Sequence, residues 1–172
     1  RIFYQVSLCN EFIRQINENA AGVEFTNKGG LVAEARALRA LSYYHAVDMF
    51  GNVPFSTEND SVGSEAPGQI SRANLFNYIE SECKALIEGS DLAAEGTNDY
   101  GRCDKGFVKM ILAKLYLNAE VYVGEDRYAD CAAICEDLIA NYDLQQSITL
   151  AVLDDNGEPM LDENDEPIEV EI

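Results

Sequence analysis

Nucleophiles, bases and metal ligands are few in this chain. It holds one histidine, His45, so a triad built on imidazole has a single possible centre. That residue falls on or beside an apolar helical stripe, and the spacing predicts a packed or hydrogen-bonded side chain rather than a catalytic base. The five cysteines, Cys9, Cys83, Cys103, Cys131 and Cys135, are odd in number and widely spaced, unlike a disulfide scaffold. Cys9, Cys83 and Cys135 lie on apolar stripes, where cysteine serves as a small buried hydrophobe. Cys131 and Cys135 are one helical turn apart, yet no histidine or further cysteine stands nearby to complete a tetrahedral zinc site. Two triplets, Asp154–Asn156–Glu158 and Asp162–Asn164–Glu166, alternate oxygen donors as calcium prefers. Neither has the full EF-hand pattern, so solvated acidic turns are expected there, with no metal and no cofactor. Carboxylates are abundant, and at that density they form solvated faces by default. Glycosidase chemistry needs two acids held across a sugar-sized cleft, and no spacing here points to one. No catalytic constellation emerges.

Binding chemistry leaves more candidates. A sugar is held by an aromatic face against its C–H surface, flanked by amide, carboxylate or hydroxyl partners. The chain has no Trp, which weakens that reading, but nine Tyr and seven Phe. The candidate ligand contacts are loop residues: Asn52, Phe55, Glu58, Asn59, Asp60, Asn98 and Tyr100. Glu34, Arg36 and Arg39 are expected to be structural, bonding carbonyls or acids between helices and fixing the loop over 51–71. The alternative for these three is plain surface charge. Arg102, in YGRCD, is similarly expected to tie that loop to the helix start.

Five helical segments are predicted to position these groups. The first runs from about Tyr4 to Glu18, with Val6, Cys9, Phe12 or Ile13, and Ile16 inward. The second, about Leu31 to Phe50, carries Ala33, Ala37, Leu41 and Tyr44 on one stripe, with Leu38 and His45 on the neighbouring ridge. Its alanines invite another helix to approach closely. Gly51 offers a left-handed terminus, Pro54 forbids resumption, and Val53 is pushed toward extended backbone by the proline after it. The loop 51–71 is longer than a compact helical connection needs. Ser71 caps a third helix with Leu75, Ile79, Cys83 and Leu86 inward, and Asp104 caps a fourth with Ile111 and Leu115 inward. A short VGED turn leads to the fifth, about Arg127 to Ala140, with Tyr128, Cys131 or Ala132, Cys135, and Leu138 or Ile139 inward. The last two helices form a hairpin of tetratricopeptide character. After Tyr142 the pattern turns β-branched and alternating, which predicts a hairpin or edge strand around a charged, mobile DDNGEPMLDENDEP stretch.

The net charge is −19, shared unequally. Residues 1–55 balance five acids with five bases, whereas 141–172 carry ten acids and no base. No phosphate-neutralising patch exists, which argues against nucleic acid and anionic membrane surfaces as partners. No apolar run approaches a membrane span. Because a helical pattern begins almost at Arg1, the start is expected to be a cut within a longer protein.

Four pieces carry a family resemblance in one order: CNEFIRQI, AEARALRALSYYHAVDMFGNVPF, ISRANLFNYIESECKALI and YGRCDKGFVKMILAKLYLNAEVY. Together they resemble SusD/RagB-like proteins over about residues 4–142, fading after Tyr142. The resemblance implies an all-α framework of tetratricopeptide-like helix pairs, an incomplete superhelix, over residues 1–142. Residues 143–172 are expected to form an acidic irregular tail or short β-hairpin at the boundary of the fragment. It further implies a non-catalytic surface lipoprotein that captures glycan or other nutrient for a TonB-dependent, SusC-like outer-membrane transporter. The signal and lipid-anchor cysteine would lie outside this stretch. The competing expectation is a tetratricopeptide-like protein-interaction module that binds no glycan.

Overall fold

The computed structural model describes residues 1–19, 22–60, 63, 66–142, 149–154, 157–162 and 166–171. It divides into two compact units, Arg1–Asn141 and Tyr142–Ile172.

The first unit is helical. Helices α1 (Ile2–Glu18), α2 (Lys28–Phe50), α3 (Arg72–Glu88), α4 (Lys105–Leu117), α5 (Ala119–Val123) and α6 (Tyr128–Asn141) follow in order, with two-residue strands β1 (Val53–Pro54) and β2 (Gln69–Ile70) between α2 and α3. Neighbours pack in sequence, α1 on α2, α2 on α3, α3 on α4 and α4 on α6. Three helix starts are built as side-chain caps: Asn27 accepts from the Gly30 N–H at 3.1 Å, Ser71 from Asn74 at 3.3 Å, and Asp104 from Phe107 at 2.9 Å. One more helix forms than the periodicity predicts, because α4 and α5 are separated at Asn118. There the side-chain amide donates back to the Lys114 carbonyl at 3.3 Å, the local competition that makes Asn a poor helix-interior residue.

The centre is α2, covered on two sides at once. Ala33, Ala37, Ala40 and Val47 are buried, and so are Ala35, Ser42, Tyr43 and Ala46 on the opposite ridges. The ridge through Leu38 and His45 is the open side: both are exposed, and Leu41 is only half-buried. His45 is therefore no core histidine. Its ring lies 5.5 Å from that of Tyr44, at the surface. Apolar residue types recur around most of α2, so periodicity alone does not say which ridge stays uncovered. On α1, Ile13 is buried and Phe12 exposed. On α6 only Leu138 is buried; Cys131 and Cys135 are half-buried, and Tyr128 and Ile139 are exposed. Cys135 is thus not the core residue that its stripe suggests, while Cys103, in a loop, is buried.

Gly51 ends α2 with φ +75° and ψ −91°, a positive φ outside the left-handed helical basin. A Cβ there would stand 2.7 Å from the Arg72 guanidinium. Val53 and Pro54 then pair antiparallel with Ile70 and Gln69. This pinches the base of the long loop shut.

The second unit holds β3 (Thr149–Ala151) paired antiparallel with β4 (Glu169–Glu171), the hairpin that the alternation predicts. The charged stretch between them does form bridges, Leu153 with Pro159 and Leu161 with Pro167. They reflect an eight-residue tandem repeat, LDDNGEPM then LDENDEPI. In each copy the aspartate carboxylate accepts from a glutamate backbone N–H four residues on, Asp154 from Glu158 at 2.9 Å and Asp162 from Glu166 at 3.0 Å. Pro159 and Pro167 stand at matched bridge positions, and the acids serve as turn caps. Asn156 and Asn164 of the two oxygen-donor triplets lie outside the described residues.

Candidate functional site

The long loop and α1 border a cleft of 710 Å³, lined among others by Ser7, Asn10, Arg14, Phe55, Thr57 and Asp60. Its wall is anchored from α2. The Tyr43 hydroxyl donates to the Ser56 carbonyl at 2.7 Å and accepts from the Ser56 N–H at 2.9 Å, a reciprocal clamp on one loop residue. Phe55 packs between Tyr43 and Tyr78, with ring centroids 5.2 and 4.8 Å away, the latter edge-on. From α1, Arg14 donates to the carbonyls of Glu58 at 3.1 Å and Asp60 at 3.2 Å while pairing with Glu11. The Asp60 carboxylate in turn accepts from the Thr57 N–H at 2.6 Å.

Beneath the loop lies a buried charge network. Arg39 is 2% exposed, donates to Asn10 Oδ1 at 2.8 Å and pairs with Glu58 and Glu82. Arg36 grips Glu82 bidentately at 2.9 and 3.0 Å. Burial works against the Glu58 charge, but the Arg39 bond and field outweigh it and hold its pKa below the usual carboxylate range. Two buried side-chain polar atoms among the described residues make no hydrogen bond, Arg39 Nε and the Tyr78 hydroxyl. Burial raises the Tyr78 pKa well above the ordinary phenol value.

The residues singled out by sequence are thus dispersed. Arg39 reaches the loop acid Glu58. Arg36 bonds α3 instead of the loop, and Glu34 pairs with Arg102, whose Nε donates to it at 2.8 Å. Asn52 accepts from the Arg72 N–H at 2.8 Å, at the start of α3. Asn98 donates to the Cys103 carbonyl at 2.7 Å. Asn59 is exposed, and its N–H reaches Thr57 Oγ1 at 3.3 Å. Phe55 and Asp60 line the cleft, and Tyr100 projects fully into solvent. Residue types alone gave no prominence to Asn10 or Arg14, since a polar residue on a helix reads as surface until its partner loop is placed.

A second surface hollow, 550 Å³, runs along α1 and α2 with an apolar floor of Leu8, Phe12, Leu31, Ala35 and Leu38. No group of three or more His, Cys, Asp or Glu among the described residues is set to hold a metal ion. No described helix is long and apolar enough to cross a membrane.

The helical fold resembles that of SusD-like proteins. No protein-family model matches the chain. It is 30% identical over 159 residues to the starch-binding protein SusD of Bacteroides thetaiotaomicron, a match covering 92% of this chain and 27% of that protein. Surface glycan-binding protein A from Bacteroides uniformis superposes with a TM-score of 0.59 at 25% identity, over 76% of this chain and 28% of that one. A SusD homolog from B. thetaiotaomicron gives 0.60 at 25% identity, over 80% and 28%. In sequence and fold the chain is similar to SusD and its homologues, and it spans just over a quarter of the length of these relatives.

Proposed function

We propose that this chain is the helical framework of a surface protein that captures carbohydrate without turning it over and delivers it to an outer-membrane transporter of the SusC-like, TonB-dependent kind. The observation that carries the reading is the 30% identity to a starch-binding protein across 92% of this chain, with superposition on a surface glycan-binding protein. The chain's own chemistry is in keeping with binding. Its one histidine is exposed, and the loop carboxylates of Glu58 and Asp60 are engaged by Arg39 and the Thr57 backbone amide.

Among the loop residues, Phe55, Asp60 and the exposed Tyr100 are the ones we assign to ligand, with Asn59, the neighbour of Asp60 in sequence. Asn52, Glu58 and Asn98 would contribute by shaping the loops that carry them. The test is calorimetry of the full-length protein against starch and other soluble polysaccharides, alongside co-purification with its transporter. Saturable heat with at least one polysaccharide is expected. Absence of binding to all of them, with tight capture of a soluble protein, would favour the alternative of a protein-interaction module, for which the apolar hollow along α1 and α2 is the supporting observation. Binding is proposed to need no metal or cofactor, so excess EDTA should leave the calorimetric affinity unchanged.

A further inference from the structure

The charges around the cleft bordered by α1 and the long loop do not balance in favour of an anion. Among its described lining residues, Glu11, Arg14 and Asp60 are the charged ones. Arg14 is engaged by the protein on all three of its nitrogens. Its Nε and Nη2 donate to the Glu58 and Asp60 carbonyls, and its Nη1 pairs with Glu11. The loop supplies no second cation, because residues 51–71 contain Glu58, Asp60 and Glu65 but no Lys, Arg or His. Asn10 is committed as well, donating to Ser56 Oγ at 3.2 Å and accepting from Arg39. Asp60 is different. Its Oδ2 accepts from the Thr57 N–H and hydroxyl at 2.6 and 3.2 Å, which leaves Oδ1 as an exposed acceptor.

We propose that this cleft accepts uncharged polysaccharide and rejects chains bearing uronic acid or sulfate groups, with Glu11 and Asp60 as the discriminating residues. The inference rests on the reading of the chain as a carbohydrate-capturing framework and names the class of carbohydrate. A neutral sugar hydroxyl can donate to the Asp60 carboxylate and needs no counter-charge. An anionic group in the same place meets two carboxylates and a guanidinium that already has a full set of partners. Like charges brought together without a free cation oppose binding and suppress the wrong ligand. The net charge of −19 adds a longer-range repulsion of the same sign. Glu11 acts doubly, since its own charge repels an anion and its pairing keeps Arg14 from one.

The test is calorimetry of the full-length protein with amylose, hydroxyethyl-amylose and carboxymethyl-amylose of matched length, the hydroxyethyl form controlling for added bulk. Where another neutral polysaccharide gives the heat, that polymer and the same two derivatives take their place. The carboxymethyl form is expected to bind about tenfold or more weakly than the hydroxyethyl form at low salt. The gap should narrow as ionic strength rises. Glu11→Gln and Asp60→Asn should each shrink the ratio of neutral to anionic affinity by about threefold or more. Glu136→Gln, which removes the same charge from an exposed position on α6, should leave that ratio unchanged. The proposal is overturned if the carboxymethyl and hydroxyethyl forms bind equally, if neither cleft variant moves the ratio, or if Glu136→Gln moves it as far. Equal binding of the two forms leaves carbohydrate capture standing, whereas binding of no polysaccharide removes that reading and this inference with it.

Discussion

Arg39 is the residue on which the loop side of the molecule turns. Its guanidinium is buried, shared between a helix amide on α1, a loop acid and a helix acid on α3. Removing one member of such a network strands the others in a poorly solvated place. Arg39→Ala is expected to destabilise the helical unit by about 3–5 kcal/mol, measured by urea unfolding. Arg39→Lys should recover only part, because an ammonium cannot reproduce the fork to Glu58 and Glu82. Glu80 offers a pH test at the same scale. Burial disfavours its charge, but bonds from Lys84 at 2.7 Å, the Tyr116 hydroxyl at 2.7 Å and Arg127 at 3.0 Å outweigh that and lower its pKa from 4.5 to about 2. A carboxylate with a depressed folded pKa stabilises the fold above its unfolded value. Its contribution is complete above about pH 5 and drains away as pH falls from 4.5 toward 2. In Glu80→Gln, the acid unfolding curve should flatten across that window relative to the parent.

At the scale of elements, the loop between β1 and β2 is a device of closed ends and pinned middle. The two-residue strands shut its base, and the Tyr43 hydroxyl and Arg14 guanidinium hold the segment above it. Tyr43→Phe leaves the aromatic cluster in place and removes both bonds to Ser56, which strands a carbonyl and an N–H. A cost of roughly 1–3 kcal/mol is expected, with faster hydrogen exchange confined to residues 55–60. Asp104 does double duty, capping α4 and accepting from the Gly96 N–H at 2.8 Å. Asp104→Ala should cost about 1–2 kcal/mol in thermal or urea unfolding. The α4–α6 hairpin is closed at the other end by Arg127, which pairs with Asp130 and Glu80 and stacks 4.3 Å from the centroid of the Tyr116 ring.

For the whole molecule, the two compact units have different characters: the helical one contains the hydrophobic core, and the acidic one its hairpin and tandem turns. Limited proteolysis is expected to cut near residue 142 and leave a protected fragment of about the size of Arg1–Asn141. Recovery of a single uncleaved species under conditions that digest an unfolded control would show that the two behave as one.

Much of this architecture is legible without coordinates. Caps at Ser71 and Asp104, the Gly51–Pro54 exit, the hairpin signature beyond Tyr142 and the close approach along Ala33, Ala37 and Ala40 follow from properties that each residue carries into any fold: a side-chain acceptor, a missing Cβ, a fixed φ, a small volume. What the tertiary structure alone decided is pairing. Which ridge of α2 faces solvent depends on where α1 and α3 land, and this put His45 and Leu38 outside. That Arg36 meets Glu82, Arg39 meets Glu58 and Arg102 meets Glu34 depends on contacts 19 to 68 residues apart. Local sequence fixes the geometry of a helix turn because its partners lie within four residues. A charge in a chain with 31 acids has too many possible partners for its own identity to choose one, and only packing brings one acid within reach.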